Sequence, residues 1–231
     1  MKKSLFFVAL CAVLAYAGCT KKADPTPEEI GYTYFPLDIG SYRIYNVTEI
    51  NWLNNESDTT YYQIQERIDT SFYDQSGQLT YKMIRSMRTD TTKNWRDDSV
   101  ITVTRTSSAL TVNRNNIRKV KMVFPVRKNR KWNTNEFNNL GQEEISYSVV
   151  GEPFTVNNQQ YPKTLTVLES DIKNIVELDQ RKEVYANHIG LIFRDYKQYT
   201  YCNDPSKCNF GVDEILVGSQ VIYELESHGQ K

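Results

Sequence analysis

Histidine is nearly absent. His188 and His228 are the only two in 231 residues, too few for a histidine-centred triad or zinc site, and there is no Gly-x-Ser-x-Gly, glycine-rich phosphate loop or His-Glu-x-x-His. Glycine (10) and proline (7) are too scarce for a collagen-like or low-complexity chain. Neither sign of charge is in excess. The 28 Lys and Arg face 28 Asp and Glu, which excludes a globally basic nucleic-acid coat and an acidic disordered tail. Long hydrophobic runs are missing too. The one apolar run, Leu5 to Ala17, would reach about 20 Å as a helix against a hydrocarbon core of about 30 Å. Mean hydropathy is −0.58.

What is present begins at the N-terminus. Lys2 and Lys3 precede that run, and Ala17-Gly18-Cys19 closes it. This is the layout of an export signal over residues 1–18. The Ala-Gly-Cys end resembles the lipobox of bacterial lipoproteins, with Tyr16 where Leu is usual, and implies that Cys19 is acylated and becomes the first mature residue. Removal of residues 1–18 takes away two lysines and leaves 26 basic against 28 acidic side chains, a mature charge of −2. Cys11 leaves with the signal, so Cys202 and Cys208 remain as a candidate disulfide in an exported chain, with a metal pair as the disfavoured alternative. The polar stretch Thr20 to Gly31, with two prolines and no apolar period, is expected to form with Cys19 a tether over residues 19–31.

From residue 32 the chain alternates β-branched or aromatic residues with polar ones, between Asn, Asp, Ser and Gly clusters. Sixteen Tyr among 12% aromatics suit half-buried pleated surfaces. Eleven segments fit strands, from Tyr42–Ile50 to Gln220–Leu225. Only Ser170–Glu183 could also be a helix. Short polar connections imply antiparallel hairpins, and a sheet with one apolar face must curl to cover it. The expectation is one all-β domain over residues 32–231, a strongly curved antiparallel sheet or incomplete β-barrel of about nine to eleven strands.

Phe35-Pro36-Leu37 followed by Gly40 has an echo in Phe124-Pro125-Val126 followed by Asn129, both ending on an aromatic. Gly and Asn most readily take left-handed geometry, so each copy is expected to turn there. YFPLDIGSYRIYNV, VFPVRKNRKWNTNEFNNLG and VYANHIGLIFRDYKQY resemble, in that order, segments of a family of Bacteroidota exported lipoproteins. The matching residues are Trp132, Asn133, Asn135 and Asn138, then Tyr185, Ala186, Gly190 and Leu191. Asn129 departs from the usual Gly. The resemblance implies a β-rich lipoprotein of the cell envelope, expected at the outer membrane, and brings no activity or cofactor with it.

Charge is unevenly spread. No acid occurs between Asp98 and Glu136, while nine cations do. Arg114, Arg118, Lys119, Lys121, Arg127, Lys128, Arg130 and Lys131 form a candidate anion-binding stripe for an anionic lipid, glycan or envelope protein. The alternative is that Lys119 and Lys121 form a wet face opposite Val120, Met122 and Phe124, with neighbouring acids neutralising the rest. Nucleic acid is excluded as a partner, since no aromatic platform interleaves the stripe. Glu169 with Asp171, and Glu177 with Asp179, share a face if extended, as a glycosidase pair would, but such acids are routine on solvated strands. The reading is a membrane-anchored binding or structural module with no catalytic residue, metal or cofactor. A carrier of lipid or another hydrophobic ligand in a half-barrel is the alternative, and a carboxylate-dependent hydrolase stands behind both.

Overall fold

The computed structural model describes residues 24–206 and 208–231. The signal segment and Cys19 lie outside the described residues. The strands are β1 (Ser41–Leu53), β2 (Glu56–Tyr73), β3 (Leu79–Arg88), β4 (Arg96–Arg105), β5 (Ala109–Arg114), β6 (Ile117–Val123), β7 (Lys131–Asn133), β8 (Glu144–Val156), β9 (Gln159–Lys173), β10 (Glu177–Ala186), β11 (Gly190–Tyr201) and β12 (Ile215–Gln230). They form one antiparallel sheet in the order β6-β5-β4-β3-β2-β1-β12-β11-β10-β9-β8-β7. This all-β sheet curls into a nearly closed barrel whose one unsealed seam lies between β6 and β7. Among the described residues there are twelve strands, because the three-residue β7 is added to the eleven expected. The ambiguous stretch 170–183 is a hairpin: β9 runs to Lys173 and β10 starts at Glu177.

Asparagine pairs set the register. Asn54-Asn55, Asn115-Asn116 and Asn157-Asn158 all have positive φ, between 49° and 61°. Two left-handed residues in succession make the type I′ turn whose twist matches that of the flanking strands. The two echoing strings also turn as expected, at Gly40 (φ 86°) and Asn129 (φ 63°). At Gly40 the requirement is strict, since a Cβ would lie 2.3 Å from the Lys231 carbonyl oxygen.

One end of the barrel is plugged by residues 26–40. The body therefore begins before residue 32. Within the expected tether, Pro27–Ile30 forms helix α1, capped by Thr26 and Glu29 in a reciprocal capping box, and a 3-10 turn follows at Tyr32–Tyr34. The plug spans the barrel end through Tyr32 edge-on to Phe124 at 4.7 Å, the His188 N–H donating to the Thr33 carbonyl, and Arg105 donating to the Tyr32 and Phe35 carbonyls. The main core packs above it, with Tyr45, Ile64, Leu110, Met122, Ile145 and Leu165 all at or below 2% exposure.

Candidate ligand chamber

Above the plug the core fills only part of the barrel. A chamber of about 340 Å³ is lined on its apolar side by Phe35, Met83, Ile101, Val112, Ile117 and Leu191. Its rim is the short β5–β6 hairpin, Arg114 to Ile117. Six cations also line it: Arg43, Arg85, Arg114, Lys119, Lys121 and Arg194. Glu66 is the one carboxylate among the lining residues, while Asp98, Glu143, Glu169 and Glu183 pair with the cations from outside the lining. The positive ends of these pairs are thus turned toward the chamber.

Strand alternation and two bulges place these groups. On β10, Arg181, Glu183 and Tyr185 share a face, and Glu183 stands directly opposite Arg194 on β11. The β5–β6 register slips at Leu110/Thr111, so Lys121 has no partner on β5. The slip puts Lys119, opposite Val112, on the same face as Met122, opposite Leu110. Lys119 and Lys121 are therefore not a wet face opposite Met122. A second slip between Arg181 and Lys182 leaves Glu169 unpaired on β9, in reach of Lys121.

Glu183 is the centre of the network and has no exposed surface. It receives Lys121 at 2.7 Å, the Arg194 Nη2 and Nε at 2.7 and 2.9 Å, and hydroxyls from Tyr196 at 2.8 Å and from Tyr185. Burial pushes its carboxyl up, but the charges of Lys121 and Arg194 and the donated hydrogen bonds outweigh that and hold it below the usual carboxylate range. Burial first, then the charge of Glu183, keeps Tyr185 and Tyr196 protonated well above the ordinary tyrosine value, so both remain donors. Across the chamber, Arg85 pairs with Asp98 and reaches the Tyr223 hydroxyl at 3.4 Å.

The stripe divides. Arg114, Lys119 and Lys121 line the chamber. Arg118, Arg127, Lys128 and Lys131 are exposed, with Lys128 on Glu152 and Lys131 on Glu144 as surface ion pairs, and Arg130 donates to the Pro125 carbonyl. Each sequence-paired acid is engaged separately. Glu169 holds Lys121, Asp171 accepts from Gln180, Asp179 chelates Arg181, and Glu177 accepts from Asn174. Cys202 and Cys208 form the disulfide, at the loop between β11 and β12. Among the described residues, no three His, Cys, Asp or Glu side chains come together as metal ligands, and no helix is long and apolar enough to cross a membrane.

The seam is bridged by one backbone hydrogen bond and otherwise by side chains, where paired strands would use backbone throughout. The Val120 N–H donates to the Thr134 carbonyl, and the Val120 carbonyl accepts from Trp132 Nε1 at 2.9 Å and Thr134 Oγ1 at 3.0 Å. The Tyr147 hydroxyl donates to the Val123 carbonyl and accepts from its N–H, both at 2.9 Å. Lys119–Glu143, Lys121–Glu169 and Lys121–Glu183 also cross from β6 to the far side of the seam.

No family model and no curated protein matches the chain. A solved structure from Bacteroides fragilis, described as an exported protein with a YmcC-like fold, aligns over 85% of this chain and 98% of its own at 12% identity, with a TM-score of 0.43. A likeness of that degree does not by itself establish a shared fold.

Proposed function

We propose that this protein is a non-catalytic binding module of the cell envelope, tethered to the outer membrane through acylated Cys19, that holds a small ligand in the mouth of its barrel. The observation that carries the reading is the chamber, where apolar walls and inward-facing cations meet above a plugged floor. Its volume of about 340 Å³ is at the low end of the range for small-molecule sites, about 300–1,000 Å³. Tyr45, Tyr147 and Leu165 fill the barrel elsewhere, which favours a small ligand over a bulky two-chain lipid.

Native mass spectrometry of the full mature chain extracted from envelopes tests this. The expected result is a small bound mass that is lost in Val112→Trp, whose indole would occupy the chamber. A chain without bound mass, or a bound mass indifferent to that substitution, overturns the reading.

A further inference from the structure

One cation in the chamber differs from the rest. Arg43 is 3% exposed, yet every group that it touches is neutral. Its Nη1 donates to the Ile189 carbonyl at 3.2 Å, its Nη2 faces the Met83 sulfur at 3.9 Å, and its guanidinium stands over the Phe35 ring at 5.8 Å. Its Nε is buried and has no partner among the described residues. Leaving a buried ion without a counter-charge is costly enough that folded chains avoid it. The fold nonetheless makes room for it. A Cβ at Gly190 would lie 2.9 Å from Arg43 Nη1, so a glycine at that position gives the guanidinium its space.

The charge count points the same way. The chamber cations with Arg181 number seven, and their partners Asp98, Glu143, Glu169, Asp179 and Glu183, with Glu66, number six. One positive charge is in excess; Arg43 and Arg114 are the two without an acidic partner among the described residues, and Arg114 is exposed to solvent at the rim, which leaves Arg43 as the buried one. A phosphate monoester, at about −1.5 to −2, would overshoot it, whereas a carboxylate matches. Between Arg43 and the rim run Met83, Ile101, Val112 and Ile117, a wall suited to an apolar body. We propose that the chamber takes an amphiphilic monoanion, an apolar body with one carboxylate, whose carboxylate seats on Arg43. The proposal rests on the chamber being a ligand site and adds the chemistry of its occupant.

Glu66 is the internal competitor. It lies opposite Arg43 across the β1–β2 pair and lines the chamber, but makes no ion pair with it. A rotamer that closed Glu66 onto Arg43 would remove the need for a ligand, and the two cases give opposite results. Calorimetric titration of the full mature chain with sodium decanoate should show one saturable site. Decanol and decyltrimethylammonium should bind at least about tenfold more weakly, as expected for loss of a charge-assisted hydrogen bond. Arg43→Met should weaken decanoate by about tenfold or more and leave decanol unchanged. Glu66→Gln should tighten decanoate, a gain that a misfolded variant cannot mimic. Equal affinity for decanoate and decanol, or indifference to both substitutions, overturns the proposal while the chamber still binds. Absence of decanoate uptake also overturns it, and the bound mass from envelopes then decides the chamber reading separately.

Discussion

Glu183 is a buried carboxylate whose lone pairs are all engaged, and its ionisation is tied to folding. Its folded pKa lies below the unfolded value of about 4.3, so its stabilisation is fully present above that pH and is lost as pH falls toward the folded value. Glu183→Gln should cost about 3–5 kcal/mol at pH 7, because Lys121 and Arg194 lose their shared counter-charge. The deficit should shrink below about pH 4, because Glu183 of the unfolded wild-type chain protonates there while the native carboxylate stays ionised, and urea unfolding midpoints across pH measure both effects. A deficit independent of pH would assign the loss to packing. The signal for these residues lay in strand parity. Glu183 falls in step with Tyr185, Arg43 with Tyr45 and Val47, and Arg85 with Met83, so each is a charge at an apolar position of the alternation. The pairing of Glu183 with Lys121 and Arg194 across β6, β10 and β11 was not readable, because no local spacing encodes it.

At the scale of elements, most strands were legible because period two persists over six or more residues. The exception is β7, where three residues cannot display a period. Lys119 and Lys121 were ambiguous for a different reason: one bulge inverts the alternation partway along β6, and no residue type marks it. The seam makes its own prediction. The Val120 carbonyl has two side-chain donors, so Trp132→Phe or Thr134→Val alone leaves it bonded and should cost about 1 kcal/mol each. Together they strip both side-chain donors from that oxygen, and the double variant should exceed the sum by about 1 kcal/mol in a double-mutant cycle. Strict additivity would show that water takes over the oxygen. The disulfide acts over a short loop, about 2 kcal/mol by chain entropy. Reduction should therefore loosen the β11–β12 loop and leave amide protection in β1 and β12 intact, as hydrogen exchange would report.

For the whole molecule, the proposed anchor and the plug lie close in sequence. Thr26, the α1 cap, stands seven positions after Cys19, so even full extension at about 3.5 Å per residue would let an acylated chain hold the plugged end no more than about 25 Å from a membrane. The chamber mouth, at the other end of the barrel, would face away from the bilayer. Cys19→Ser should move the protein from the membrane pellet to the soluble fraction without changing its unfolding midpoint, as fractionation and melting would show. Retention in the pellet would assign membrane attachment to another part of the chain.

The strand order has a kinetic consequence. Strands β1 to β6 and β7 to β12 are each a run of hairpins between sequence neighbours, and each can form as soon as it is made. The pairing that joins them sets Ser41 against Gln230, the first strand against the last. Loop closure over nearly the whole sheet must precede its reward, so folding waits on the sixteen residues of β12, Ile215–Gln230. Until β12 arrives, β1 presents a long unpaired edge, open to pairing with other chains. A chain that crosses a membrane N-terminus first would spend its whole passage in that state, committed to fold only when its last strand emerges.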